Sequence, residues 1–497
     1  MMKKINILLL AILTVFYSCE DAIDIEQVGR LVPEVTFETL TDLERGVFGA
    51  YSFFDTTSEI ALASQYTDEV AIGVATGGQG LTEGFPYRMN AAVAASSALW
   101  TQGYGELNAV NIVIEGSELI ELEEGEQEAF DDYLGQLYAL RAFAHTQLLS
   151  YYSPDYRNDS APGVIIVDFV ATIDQQLPRN TTGEVWAAIL ADLDRAEDLL
   201  ATESNPTFVS LDFVKALRAR IAAYRGNYEI AEPLAMELLE DYPLAARDEY
   251  EAIWTDQSNA EIIFKLERVV NDGYDGQGAQ GSVTAGGWAG NNYAFVNATA
   301  GGGAFFEFDR GLFNLFDEDD IRYDAFVAPS SIVADDYLNV DDYRNNDVLV
   351  IQKYPGIAER PLMNDLKVFR SSEMLMIIAE ARAAAGDLGG VAEAIKRLRD
   401  ARFEEEQPLA TYASQTEAYA AILNEKRVEF AFEGHRWKDL KRLGDLANQD
   451  AVRDERDCAE EGVDCSLASD SFKFTLPIPL AEIEGNPILR TQQNPGY

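Results

Sequence analysis

EKRVEFAFEGHRWKDLKRLG, residues 425–444, combines many charges with Phe430, Phe432, Trp437 and His435, one of two histidines in the chain. A solvated helix face needs fewer aromatics, and an apolar core helix carries fewer charges. The run therefore reads as a helix–turn–helix junction whose arginines and carboxylates pair on entering a partly dry interface, because unpaired buried charge is costly. Glu429 and Glu433 lie one helical turn apart. Arg436 and Asp439 stand at i,i+3 spacing after a break at Gly434. Gly444 is placed to end the second helix.

Working outward, the 497 residues carry 47% hydrophobic side chains, enough for a substantial core. The net charge of −47 repels nucleic-acid phosphates and anionic membrane surfaces, and it favours neutral or cationic ligands. Lys3, Lys4 and the apolar run 5–17, too short to span a bilayer, read as a signal peptide over 1–18. Ser18-Cys19 reads as a lipoprotein cleavage site, with Cys19 lipidated and 19–38 a tether. Cys458 and Cys465 are expected to close a disulfide, since the pair supplies too few soft ligands for a metal.

Residues 39–497 read as one domain, mainly α. Thr41-Asp42-Leu43-Glu44 fits a capping box, as does Thr181-Thr182-Gly183-Glu184. Trp100 is expected to open a helix. His145 falls on the apolar stripe of another, as a packed core histidine. Helical hairpins are expected near 100–152, 184–243 and 372–443. Gly226, Tyr228, Ala231 and Pro243 stand at tetratricopeptide spacing, and Gly386 turns a second such hairpin. Residues 261–267 alternate like a strand. Two Gly- and aromatic-rich segments, 64–98 and 271–307, read as irregular loops.

The opening stretch resembles the signature Glu-Leu-x-x-Glu-Gly-x-Arg-x-x-Asp-Leu-x-Arg-x-Gly of the SusD/RagB family of Bacteroidetes outer-membrane nutrient-binding lipoproteins. Glu429, Glu433, Gly434, Arg436, Asp439, Leu440, Arg442 and Gly444 match it. YALRAFAHTQLLSYY, Asp320-x-Arg322 and the tail from Ile478 to Tyr497 are similar to other segments of that family, although SPDYRNDSAPGVIIV after the first of these departs from its pattern. The resemblance implies a scaffold of tetratricopeptide-like hairpins, with long loops and a few short strands carrying the ligand site. It implies an oligosaccharide-binding lipoprotein on the outer face of the outer membrane, working with a SusC-like TonB-dependent transporter. Some members of the family bind peptides instead.

Little in the chain suggests catalysis. Gly276-Gln-Gly278-Ala-Gln-Gly281 is followed by no amphipathic helix, and no acidic residue lies at the distance a dinucleotide site requires. There is no phosphate-binding loop and no nucleophile elbow. A glycosidase carboxylate pair, the mark of a surface glycan hydrolase, is not singled out by spacing. The acidic run 317–320 lacks a calcium-loop pattern, so neither metal nor cofactor is expected. Sugars offer flat C–H faces to aromatic rings and hydroxyl edges to Asp, Asn and Arg. The candidate ligand residues are therefore Asp68, Phe85, Tyr87 and Arg88 from the first loop, and Trp288, Tyr293 and Phe295 from the second. Asp68 sits where the resembled family places Ser/Ala-Asp-Glu.

Overall fold

Thr39 caps α1 (Leu40–Tyr51) reciprocally: Asp42 N donates to Thr39 Oγ1 at 3.3 Å and Thr39 N donates to Asp42 Oδ2 at 3.1 Å. The expected box at Thr41 is thus displaced by two residues. This start puts Leu43, Val47 and Ala50 on the buried face and leaves Glu44 to accept from Tyr133 Oη. The computed structural model describes residues 36–73, 85–172, 174–201, 204–268, 306–357, 360–361, 364–458 and 462–497. Cys19 lies outside them.

Helix α2 (Thr57–Gln65) and strand β1 (Val70–Ile72) follow, within a segment expected to be irregular. α3 (Ala94–Ser117) begins six residues before Trp100, because the small-residue run ahead of the tryptophan is helix-compatible and Tyr152 Oη donates to Ser96 O. Trp100 itself is core, packed on Tyr152 at 4.9 Å. α4 (Gln127–Tyr152) is buried over most of its C-terminal half. There His145 Nε2 accepts from Val167 N at 3.2 Å, which places the ring proton on Nδ1, against Arg141 O. Burial pushes this histidine down to about 4, with Arg141 beside it acting in the same direction.

Next come α5 (Thr182–Leu199), opened by the Thr181–Glu184 box, then α6 (Leu211–Arg225), α7 (Tyr228–Asp241) and α8 (Arg247–Trp254). Gly226 takes a left-handed conformation, φ 75°, between α6 and α7, and Gly386 does the same, φ 78°, in the later hairpin. β2 (Ile262–Leu266) is buried on both faces instead of alternating, because it pairs antiparallel with β6 (Leu366–Arg370) inside the core. Between them lie β3 (Phe306–Phe308), which pairs with β1, the short helices α9 (Arg310–Phe313), α10 (Ile321–Phe326) and α11 (Tyr343–Asn346), and the β4–β5 ribbon (Gly356–Ile357 with Arg360–Pro361).

The chain then forms α12 (Ser371–Ala385), α13 (Leu388–Asp400), α14 (Gln415–Glu429) and α15 (Arg436–Ala447). It ends with β7 (Ala451–Val452), α16 (Glu455–Cys458), β8 (Ser466–Leu467) and α17 (Leu480–Gly485). Helices stack in series: α3 on α4, α4 on α5, α6 on α7, α7 on α12, and α12 on α13 and α14. The fold is mainly α, with antiparallel helix pairs burying their faces between neighbours. Phe143, Phe213, Phe264 and Phe369 pin the β2–β6 ribbon to α4 and α6 through edge contacts, with Phe213 and Phe264 4.7 Å apart. The tail is tied in by Asn494 Nδ2, which donates to Tyr152 O and Leu476 O.

The 425–444 stretch is a buried ionic junction. Glu429 accepts from Arg370, Arg402 and Arg322; Glu261 accepts from Arg370 and Arg402; Glu433 accepts from Arg370 and Lys353. Arg322 also chelates Asp320 and reaches Glu425, which pairs outward with Arg399. Five carboxylates (Asp320, Glu261, Glu425, Glu429, Glu433) thus face five cations (Arg322, Lys353, Arg370, Arg399, Arg402). A second cluster balances Glu380 and Asp439 against Lys426 and Arg442. Although burial opposes it, the surrounding arginines hold Glu429 well below the usual carboxylate range.

Two expectations are corrected here. Asp439 pairs with Lys426 and Arg442, while Arg436 reaches out to Asp68, because α15 turns its arginine toward β1. Gly444 lies within α15, which continues to Ala447 and ends on Asn448. A side chain at 444 would press a Cβ to 2.4 Å from Ser469.

Glu429→Ala leaves three arginines facing one another without their shared acceptor, and is expected to cost about 3–5 kcal/mol. Denaturant unfolding measures it, and a loss below about 1 kcal/mol would contradict the assigned role of the junction.

Candidate functional site

The base of the first loop is built by burial and charge. Asp68, 1% exposed, accepts from Arg436 Nε and Nη2 at 2.8 Å each and from Val452 N at 3.2 Å, and its own backbone carbonyl accepts from Arg427. Despite its burial, the two guanidiniums hold it far below the ordinary carboxylate range. Phe85 and Tyr87, 0% and 1% exposed, lie against Arg453, whose guanidinium carbon is 3.9 Å and 4.2 Å from their ring centres. Arg453 itself is buried and donates to Thr67 O, Gln65 O and Phe85 O.

Asp68, Phe85 and Tyr87, expected to meet ligand, are buried here. Asp68 is taken up by Arg436 and Arg427, and both rings lie on Arg453, while Tyr87 also lines a cavity. Arg88 is exposed, one residue beyond them. Trp288, Tyr293 and Phe295 lie outside the described residues.

Tyr87 adopts φ 52°, a conformation that side chains rarely take, and the turn it makes is held by the rings clamped on Arg453. This turn presents residues 86–90, Tyr87 included, along one side of a cavity of about 540 Å³. Gly462, Val463, Asp464 and Lys473 line the other side. Cys458 and Cys465 are joined by a disulfide, and Arg453 N donates to Cys465 O at 2.9 Å, so one arginine anchors both walls. Sequence reasoning missed this second wall. The cysteine spacing marks a closed loop, but no local pattern places it beside residues nearly 400 positions earlier.

A group of buried carboxylates lies at one end of the β1–β3 pair. Burial pushes Glu69 up to about 7, with Asp68 adding to it and the Phe432 amide opposing. Burial likewise raises Asp309 to about 6 against the pull of Arg427, and raises Asp457 well above the ordinary value. Asp309 N donates to Glu69 O, so these groups sit on the β1–β3 pair. Among the described residues no cluster of three or more His, Cys, Asp or Glu is arranged to hold a metal, and Asp320 of the acidic run is engaged by Arg322. A second groove, of about 510 Å³, is lined by α7, α12 and α13 and involves neither loop.

A family model described as "SusD family" matches residues 334–497, and one described as "Starch-binding associating with outer membrane" matches residues 61–224. The chain is 25% identical to SusD-like protein P2 of Formosa agariphila over the full length of both. It is 24% identical to SusD-like protein P38 of the same organism, with 88% of this chain and 91% of that protein covered. The fold matches a SusD superfamily protein from Bacteroides thetaiotaomicron with a TM-score of 0.75 at 19% identity, covering 92% of this chain and 100% of that one. A SusD-like carbohydrate binding protein from Bacteroides vulgatus aligns with a TM-score of 0.69 at 19% identity, covering 92% of this chain and 98% of that one.

Two outcomes follow from this geometry. Arg453→Gln strips three carbonyls of their donor and frees both rings, so a stability loss of at least about 2 kcal/mol is expected, with faster amide exchange over 85–90. Unchanged exchange there would remove Arg453 as the anchor. Glu69 and Asp309 are raised in the folded state, so the stabilisation they contribute is complete below the unfolded value near about 4 and is lost as pH rises through 6 to 7. The melting temperature should therefore decline across that window, and Glu69→Gln should flatten the decline; an unaltered slope would exclude Glu69.

Proposed function

Because the chain belongs to the SusD family, we propose that it is a cell-surface lipoprotein that captures an oligosaccharide and delivers it to a SusC-like TonB-dependent transporter in the outer membrane. The observation that carries this reading is the pair of family matches at 61–224 and 334–497, the first described as starch-binding and associating with the outer membrane. The matches span the first loop base and the signature junction.

Anchoring is assigned to lipidated Cys19, on the reading of Ser18-Cys19 as a lipoprotein cleavage site. The transporter supplies the channel and the energy. This chain supplies recognition without catalysis, through the cavity at Arg88 and the aromatic residues Trp288, Tyr293 and Phe295 of the second loop. No cofactor is assigned. Peptide capture is the second reading, favoured by the net charge of −47, which suits cationic peptides.

A panel of plant, algal and microbial oligosaccharides, run beside cationic peptides with the full mature chain, separates the two readings. Saturable glycan binding without product release is expected. Trp288→Ala should weaken it by about tenfold or more, equivalent to about 1.4 kcal/mol, with the melting temperature unchanged. Binding of peptides alone, or release of shortened glycans, would overturn the proposal.

A further inference from the structure

We propose that the cavity between residues 86–90 and the disulfide loop is a subsite for an anionic substituent, a carboxylate or sulfate ester, on the captured oligosaccharide; this rests on the glycan-binding reading above. Most arginines and lysines in the described chain are held in ion pairs, many of them buried. Arg88 and Lys473 are not. Neither side chain has an ion pair or a hydrogen bond among the described residues, and both line this one cavity, from opposite walls.

Asn90 adds a donor: its Oδ1 is occupied by Ala92 N at 2.9 Å, while its Nδ2 has no partner among the described residues. The single carboxylate of the lining is Asp464. Two cations against one carboxylate give the cavity lining a net charge of +1 on a chain of −47. Arginine's fork suits a planar carboxylate or the oxygens of a sulfate, lysine adds a point charge, and Asp464 is left to accept from sugar hydroxyls.

The walls are held in place. The Tyr87 turn is clamped on Arg453, and the opposite wall is closed by the Cys458–Cys465 disulfide, with Val463 N donating to Cys458 O at 3.2 Å. Neither cation braces the fold, so their positions serve the cavity and not the core.

The test is calorimetric titration of the full mature chain with three probes of equal length: an oligogalacturonate, a sulfated galactan oligosaccharide and a neutral maltooligosaccharide. At least one anionic probe should bind about tenfold more tightly than the neutral one, and the preference should shrink between about 50 mM and about 500 mM NaCl. Which anionic probe prevails identifies the group. R88Q/K473Q should abolish the preference at unchanged melting temperature, with each single variant intermediate. Equal affinity for all three probes, or a preference that survives the double substitution, overturns the subsite. Failure of these three probes alongside binding elsewhere in the broader panel overturns the anionic assignment alone. Failure of every glycan overturns the underlying reading with it.

Discussion

Glu429 is fully buried and shared by three arginines. A carboxylate in that position is tolerable only if every partner arrives, because removing one leaves an uncompensated charge in a dry interior. Its partners come from α10, from β6 and from the end of α13, which are separate stretches of the chain. The balance of five carboxylates and five cations is met only when these elements sit in a single mutual register. Such networks add less net stability than apolar packing of equal volume. Their contribution here is specificity: the long excursion between α7 and α12 must return to one place on the helical stack. Backbone strain collects at the same point, with Glu261, Phe432 and Gly434 at φ 55°, 61° and 82°.

The junction also reaches the base of the first loop. Arg436 opens α15 and holds Asp68, and Arg427 holds both the Asp68 backbone and Asp309. The signature stretch and the base of the first loop are therefore one continuous ionic structure. Arg453 extends it, joining the Tyr87 turn to the disulfide loop. Recognition surfaces on loops need such support, since flexible loops must be ordered each time a ligand binds.

Helices were legible in the sequence because their apolar stripes and caps are local. The Thr181–Glu184 box, the Gly226 and Gly386 turns and the core placement of Trp100 and His145 follow from spacing alone. The α1 cap was ambiguous because Thr39–Asp42 and Thr41–Glu44 offer the same pattern two residues apart. The strand at 261–267 is legible and forms as β2, but its burial on both faces is not, because its pairing with β6 inside the core is a long-range contact. The role of Asp68 was not legible at all, since its partner Arg436 lies 368 residues away. Resemblance to a family points to a loop but does not tell a residue that shapes a site from one that touches a ligand. Phe85 and Tyr87 are buried on Arg453, which the local sequence does not indicate.

The distribution of charge bears on how a ligand is captured. With 38 basic and 85 acidic residues, and many of the basic ones drawn into buried pairs, the surface is left strongly anionic. An anionic glycan would be repelled at long range in dilute salt. At physiological ionic strength that field decays within about 8 Å, while contacts inside a cavity are screened much less. Selection then rests on close contact: a small basic pocket in an acidic surface discriminates once the ligand is seated, and gains little from electrostatic steering. Residence on the protein, rather than speed of encounter, is the quantity such a site controls.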